Sequence, residues 1–262
     1  MIDWILMPLD VMRFEIRRSL TPGRITMWLL LVLFPVVLMA RLHSLIPDTA
    51  MTADEALLPL GATLYLLVPE VTCLLGLLLW ATPAISTEIE GQTWVYLALR
   101  QAGRRTVLLG KYLTAVVWTL SAAWTAIAIS MVLIGATTQW RLWWVMGSLA
   151  LLSCVAHAAL YVLIGVIFYR RTMATAVLYT LIVEYGVSFV PALINKFTIN
   201  YRLRGLLAQW MDWDEMRSRA ENVFGTEPPQ THLFVLAGMT IAFLGVSLYR
   251  VERTEYPTQL EG

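Results

Sequence analysis

The sequence predicts an all-α integral membrane protein with six transmembrane helices, and three observations predict it. The chain is 58% hydrophobic and only 14% charged, where soluble domains carry roughly a quarter charged residues. Its charges are segregated rather than interleaved: Ile25–Ala40, Leu64–Trp80, Val116–Ile134 and Leu233–Leu248 hold almost none. A soluble helix keeps a wet face, whereas these stretches are apolar all round. Finally, six stretches reach the length of about 20 residues that a hydrocarbon core of roughly 30 Å demands. Irregular backbone cannot face lipid, and short alternating strands of an outer-membrane barrel are not seen, so the spans are helical.

Residues 1–24 come first. Ile5, Leu9, Met12, Ile16 and Leu20 fall at spacings of three and four, with Arg13 and Arg17 off that stripe. This predicts an amphipathic helix lying in the inner interface, ended by the turn at Pro22-Gly23. The transmembrane domain then runs over 25–250, with spans at 25–42, 62–84, 112–135, 142–169, 172–195 and 232–250. The first span is retained rather than cleaved. Its basic flank reaches back through Arg24, Arg18, Arg17 and Arg13, and Arg41-Leu42-His43-Ser44 lacks the small residues of a cleavage site. A tail, 251–262, follows the last span.

Lys and Arg set the orientation. With both termini cytoplasmic, twelve of them lie inside: Arg13, Arg17, Arg18, Arg24, Arg100, Arg104, Arg105, Lys111, Arg170, Arg171, Arg250 and Arg253. Those outside sit mostly in one long loop, 196–231, which carries its own acids. The split favours this topology. Trp140, Trp143 and Trp144 would line the outer interface and Trp28 the inner one. Within the outer loop, 203–224 reads as a second amphipathic helix, with Leu203, Leu206, Leu207, Trp210 and Trp213 against lipid or protein. A net charge of +1 excludes bulk nucleic-acid binding. Cys73 and Cys154 lie in apolar runs and read as buried hydrophobes, and nothing indicates a metal site.

Between the second and third spans, 85–111 is too apolar for a solvated loop. It holds Glu88, Glu90, Gly91 and Thr93, then Trp94, Val95, Tyr96, Leu97 and Leu99, a break at Ala102-Gly103, and Arg104, Arg105, Leu108, Leu109, Gly110 and Lys111. Acids open it and bases close it, as a helix dipole prefers. Taken alone, the segment either lies on the membrane or docks on a partner.

This segment resembles the first cytoplasmic loop of the type-2 ABC permeases, the membrane subunits of many bacterial ABC exporters. That loop reads Glu-x-Glu-x-Gly-Thr, apolar residues, a small or Pro-containing break, Arg, and Leu-Leu-Gly-Lys. Here glycine stands one place early at Gly91, before Gln92, and Ala102-Gly103 replaces the common proline. The resemblance extends to the Arg-rich N-terminal helix, the six spans and the long outer connection. It implies a coupling helix seated in an ATPase subunit through Glu88, Glu90, Gly91, Thr93, Arg100, Arg104 and Arg105. It also implies a second permease copy, as homodimer or close paralogue, in a bacterial inner membrane. The chain has no Gly-x-x-x-x-Gly-Lys-Ser/Thr phosphate loop, so ATP would be bound and hydrolysed by the partner and no cofactor is expected here.

Glu70, His157 and Glu184 are ionisable residues inside the predicted bilayer, where a charge costs at least ~2.5 kcal/mol. Glu184 and His157 lie equally far from the Arg170-Arg171 turn, at a common depth of about 20 Å at a rise of about 1.5 Å per residue. They read as a hydrogen-bonded clasp or, alternatively, as a path for substrate or protons. Glu70 follows Pro69 near the outer end of its span, an interfacial acid in reach of water or a pathway residue. Ala122, Ala126 and Ser130 form a small-residue stripe suited to close helix packing. Two rivals to the permease remain: a stand-alone channel or secondary transporter, though no repeated halves are visible, and an intramembrane enzyme using Ser153 and His157, though no oxyanion donors accompany them.

Overall fold

The computed structural model describes residues 3–45, 53–91, 103–136, 139–187, 193–213, 225–254 and 256. Among them every regular element is helical and none is a strand. We number the α-helices α1 (Asp3–Ser19), α2 (Pro22–Leu45), α3 (Ala53–Tyr65), α4 (Cys73–Trp80), α5 (Ser86–Glu90), α6 (Gly103–Leu133), α7 (Trp140–Ile167), α8 (Thr172–Tyr179), α9 (Ile199–Met211) and α10 (Pro229–Arg253). Among the described residues five helical stretches are long and apolar enough to cross a membrane: Pro22–Leu45, Leu58–Ala84, Gly103–Leu133, Trp140–Ile167 and Pro229–Arg253. The protein is therefore an all-α chain of multi-pass membrane type. The expected span at 172–195 is described only in part: α8 continued by a π segment runs to Gly186, about 22 Å from its start. Residues 188–192 of that span lie outside the described residues.

Helix α7 is central. Of its apolar window 72% is buried, against 28% for α2 and 17% for α10, which lie at the periphery. Close approach between helices depends on residues without bulk. A methyl placed on Gly165 would sit 2.5 Å from the Thr82 carbonyl oxygen, and one on Gly76 would sit 2.7 Å from the Thr119 side chain on α6. Ala122, Ala126 and Ser130 are wholly buried, so their stripe serves packing inside the chain. At the periphery the apolar surface is outward: Leu30, Phe34, Phe234 and Ile241 are exposed, as lipid contact requires.

Helix α1 packs on α6. Its expected apolar stripe is only partly the docking face. Leu9, Met12 and Ile16 are half-buried, but Leu20 is exposed, while Pro8 and Ser19 are buried. Ser19 turns inward to accept a hydrogen bond from Arg24, closing the corner between α1 and α2.

Among the described residues two π segments interrupt the bundle, Leu66–Thr72 between α3 and α4 and Thr180–Gly186 after α8. The first contains Pro69, whose missing N–H removes a ladder bond and favours a wider turn. Each π segment carries one of the intramembrane acids, Glu70 in the first and Glu184 in the second.

Candidate functional site

Both acids point to helix α9, and α9 is where the polar interior of the protein is built. Thr198 caps it: its Oγ1 accepts a hydrogen bond from the Tyr201 amide at 3.3 Å. Most of the helix is buried, including Ile199, Tyr201, Arg202, Leu203, Leu206 and Leu207, and it packs between α7 and α10. Over 203–224 the sequence predicts an amphipathic helix with its apolar residues against lipid or protein; in the described part of that range they lie against protein, where charged residues on the flanks find partners inside the bundle, and Asp214–Phe224 lies outside the described residues.

Glu70 corrects another expectation. It is completely buried and reaches no water. Its carboxylate accepts from Arg204 of α9 twice, from Nε at 2.5 Å and from Nη2 at 3.0 Å. This planar, two-pronged pairing is how an arginine best compensates a buried carboxylate. In the sequence, an arginine set within the apolar run Leu203–Leu207 is the one signal of this role.

Glu184 is buried as well, and its carboxylate accepts from the backbone amides of Ile199 at 3.4 Å and Asn200 at 3.1 Å. Those amides are orphan donors at a helix start, where a negative group is favoured. His157 does face Glu184, with Nε2 3.9 Å from Oε2, but that separation is not a hydrogen bond. The expected direct bond is absent because the α9 amides hold the carboxylate. Nε2 has no hydrogen-bond partner among the described residues.

The other imidazole nitrogen is better defined. The Ser153 hydroxyl lies 2.6 Å from the Pro69 carbonyl oxygen, and that oxygen can only accept, so the hydroxyl proton is committed there. Nδ1 lies 3.0 Å from the Ser153 carbonyl and 3.2 Å from Ser153 Oγ. Nδ1 must therefore carry a proton and donate it. Ser153, His157 and Glu184 thus resemble a nucleophilic triad only in composition. The serine proton points away from the imidazole, and all three side chains are closed to solvent. Nearby, Tyr161 and Thr180 share a hydrogen bond of 2.7 Å between α7 and the second π segment.

Toward one end of α9, Glu227 gathers two cations. Lys196 Nζ lies 2.7 Å from Oε1, and Arg202 pairs with Oε2. Partial burial pushes the Glu227 carboxyl up, but hydrogen bonds and charge from Lys196 and Arg202 outweigh it and hold the carboxyl below its ordinary value. A lowered carboxyl adds stability above its unfolded value, near 4.3, and that stability is lost as pH falls through the lower folded value. Glu227→Gln should therefore flatten the acid limb of the thermal-melting profile below about pH 4 and leave its neutral limb parallel to wild type. An unchanged acid limb would remove this pair from the account.

The opposite end holds the 85–111 segment. Glu88, at the start of α5, is buried and paired with Lys111 of α6 at 2.5 Å; Lys111 also reaches the Thr87 hydroxyl at 3.4 Å. Arg104 donates to the backbone carbonyls of Glu252 at 3.0 Å and Val251 at 3.5 Å, and Arg105 pairs with the Glu252 carboxylate. Arg104 thus satisfies carbonyls in the last turn of α10 and Arg105 pairs with a side chain there, a placement suited to cations at a helix end. Of the seven expected partner-contact residues, Glu90 and Gly91 are exposed, while Glu88, Arg104 and Arg105 are engaged within the chain. Thr93 and Arg100 lie outside the described residues. Among the described residues no cluster of three His, Cys, Asp or Glu side chains is placed to hold a metal ion. No protein-family model matches the chain, and no curated protein matches it.

Proposed function

We propose that the chain is the membrane-spanning permease subunit of an ATP-driven ABC exporter, energised by a separate ATPase subunit. The observation that carries this reading is the 85–111 segment. A short helix, α5, is braced through Glu88 and Lys111 onto α6, and it leaves Glu90 and Gly91 at the surface. Force applied to such an element would pass directly into α6, a helix of 31 residues. That is what coupling to nucleotide-driven closure needs. The bond of Arg104 and Arg105 to the end of α10 supports the same role, since it ties the segment to a second long helix. In this reading six spans cross a bacterial inner membrane with both termini cytoplasmic. A second permease copy completes the pathway.

The occupied serine proton weighs against an intramembrane hydrolase. Co-purification in mild detergent with mass spectrometry tests the partner, and steady-state turnover tests the energy source. The rigorously purified chain should hydrolyse no ATP, and activity should appear only with its ATPase. Ala at Glu90 should lower transport-coupled turnover while membrane insertion stays intact. Cysteines at 90 and 104 that label only from outside the cell would overturn both the topology and the function.

A further inference from the structure

We propose that a cleft beside the α1–α2 corner seats the phosphate headgroup of an anionic phospholipid. The cleft has a volume of about 390 Å³ and lies between the start of α2, the end of α4 and α6, within the range of small-molecule sites. Arg24 and Lys111 are its cations and Glu15 its acid. Lys111 is shared with Glu88. Arg24, whose described hydrogen bond goes only to the neutral Ser19 hydroxyl, supplies the charge that a phosphate would meet. A guanidinium has five donors and suits phosphate oxygens.

Beside the hydroxyls of Thr21, Thr87 and Thr114, the rest of the lining is apolar. Trp80 and Trp118 stand side by side with ring centroids 5.7 Å apart, and the Trp118 indole N–H has no hydrogen-bond partner among the described residues. Met27 and Leu79 line the cleft and are exposed at 48% and 37%. Met27, Leu30 and Phe34 follow at helical spacing on α2, all exposed, and form an apolar rail for an acyl chain leaving the cleft. A soluble phosphate would use the arginine and ignore the rail. Basic pockets between membrane helices with this character take anionic headgroups. The inference needs the chain to sit in a bilayer but not to be a permease.

Native mass spectrometry of the full chain, delipidated and supplied with phosphatidylglycerol or phosphatidylcholine of matched acyl chains, tests it. Phosphatidylglycerol should be retained about five-fold better, the size of one cation's attraction to an anionic headgroup. Arg24→Gln should abolish that preference, and Met27→Trp, filling the exposed mouth, should lower retention without lowering the melting temperature. Arg141→Gln, at the other end of the molecule, should change nothing. Equal retention of the two lipids, an unaltered preference in Arg24→Gln, or displacement of the lipid by millimolar inorganic phosphate would each overturn the proposal. Failure to find an ATPase partner would leave it standing.

Discussion

Arg204→Leu should destabilise the protein by about 3 kcal/mol, the lower part of the range for breaking a buried ion pair. Glu70 is fully enclosed, while the Arg204 side chain retains 24% exposure, which favours the lower part. Removing the guanidinium leaves the Glu70 carboxylate in the bundle with neither water nor a counter-charge. Against a total stability of about 5–15 kcal/mol, this is a large fraction. The double variant Glu70→Leu with Arg204→Leu should recover most of the loss, because the cost belongs to the orphaned charge. Arg204→Lys should fall between, keeping the charge but not the paired geometry. Thermal melting followed by size-exclusion in detergent reads all three. A single Arg204→Leu variant as stable as wild type would mean that Glu70 finds another partner.

Glu184→Leu should cost about 3 kcal/mol, since it strands the Ile199 and Asn200 amides at about 1–3 kcal/mol for each buried unsatisfied donor. Glu184→Gln keeps an oxygen acceptor and should cost only about 1 kcal/mol, the typical worth of one hydrogen bond. The distinguishing measurement is hydrogen exchange in the first turn of α9, not melting alone. In Glu184→Leu that turn should lose protection while α7 keeps it. If the turn remains protected, Thr198 alone holds the helix start, and Glu184 is free for another task beside His157.

How much of this was legible in the sequence follows from the range of each interaction. The five spanning helices were readable because lipid acts on each segment separately: an apolar run of sufficient length must become a helix whatever surrounds it. The excess of Lys and Arg at one set of helix ends is likewise local. The common depth of His157 and Glu184 could be counted from a turn, since helical rise is constant. Rotation about the helix axis could not be counted, and it is rotation that turned Glu184 toward the α9 amides.

The choice of polar partners needed the folded chain. Glu70 and Arg204 are 134 residues apart, Ser153 and Pro69 are 84 apart, and Arg104 and Glu252 are 148 apart. No pattern of a few residues encodes such pairs. The π segments were equally hidden, because an extra residue in a turn is a small local cost that tertiary hydrogen bonds outweigh. Composition and spacing determined that this chain is a bundle of membrane helices with one strongly basic end. Only tertiary structure decided that α9 is buried among those helices instead of lying on their surface, because a helix carrying Arg202 and Arg204 is stable inside a low-dielectric bundle only where carboxylates already wait.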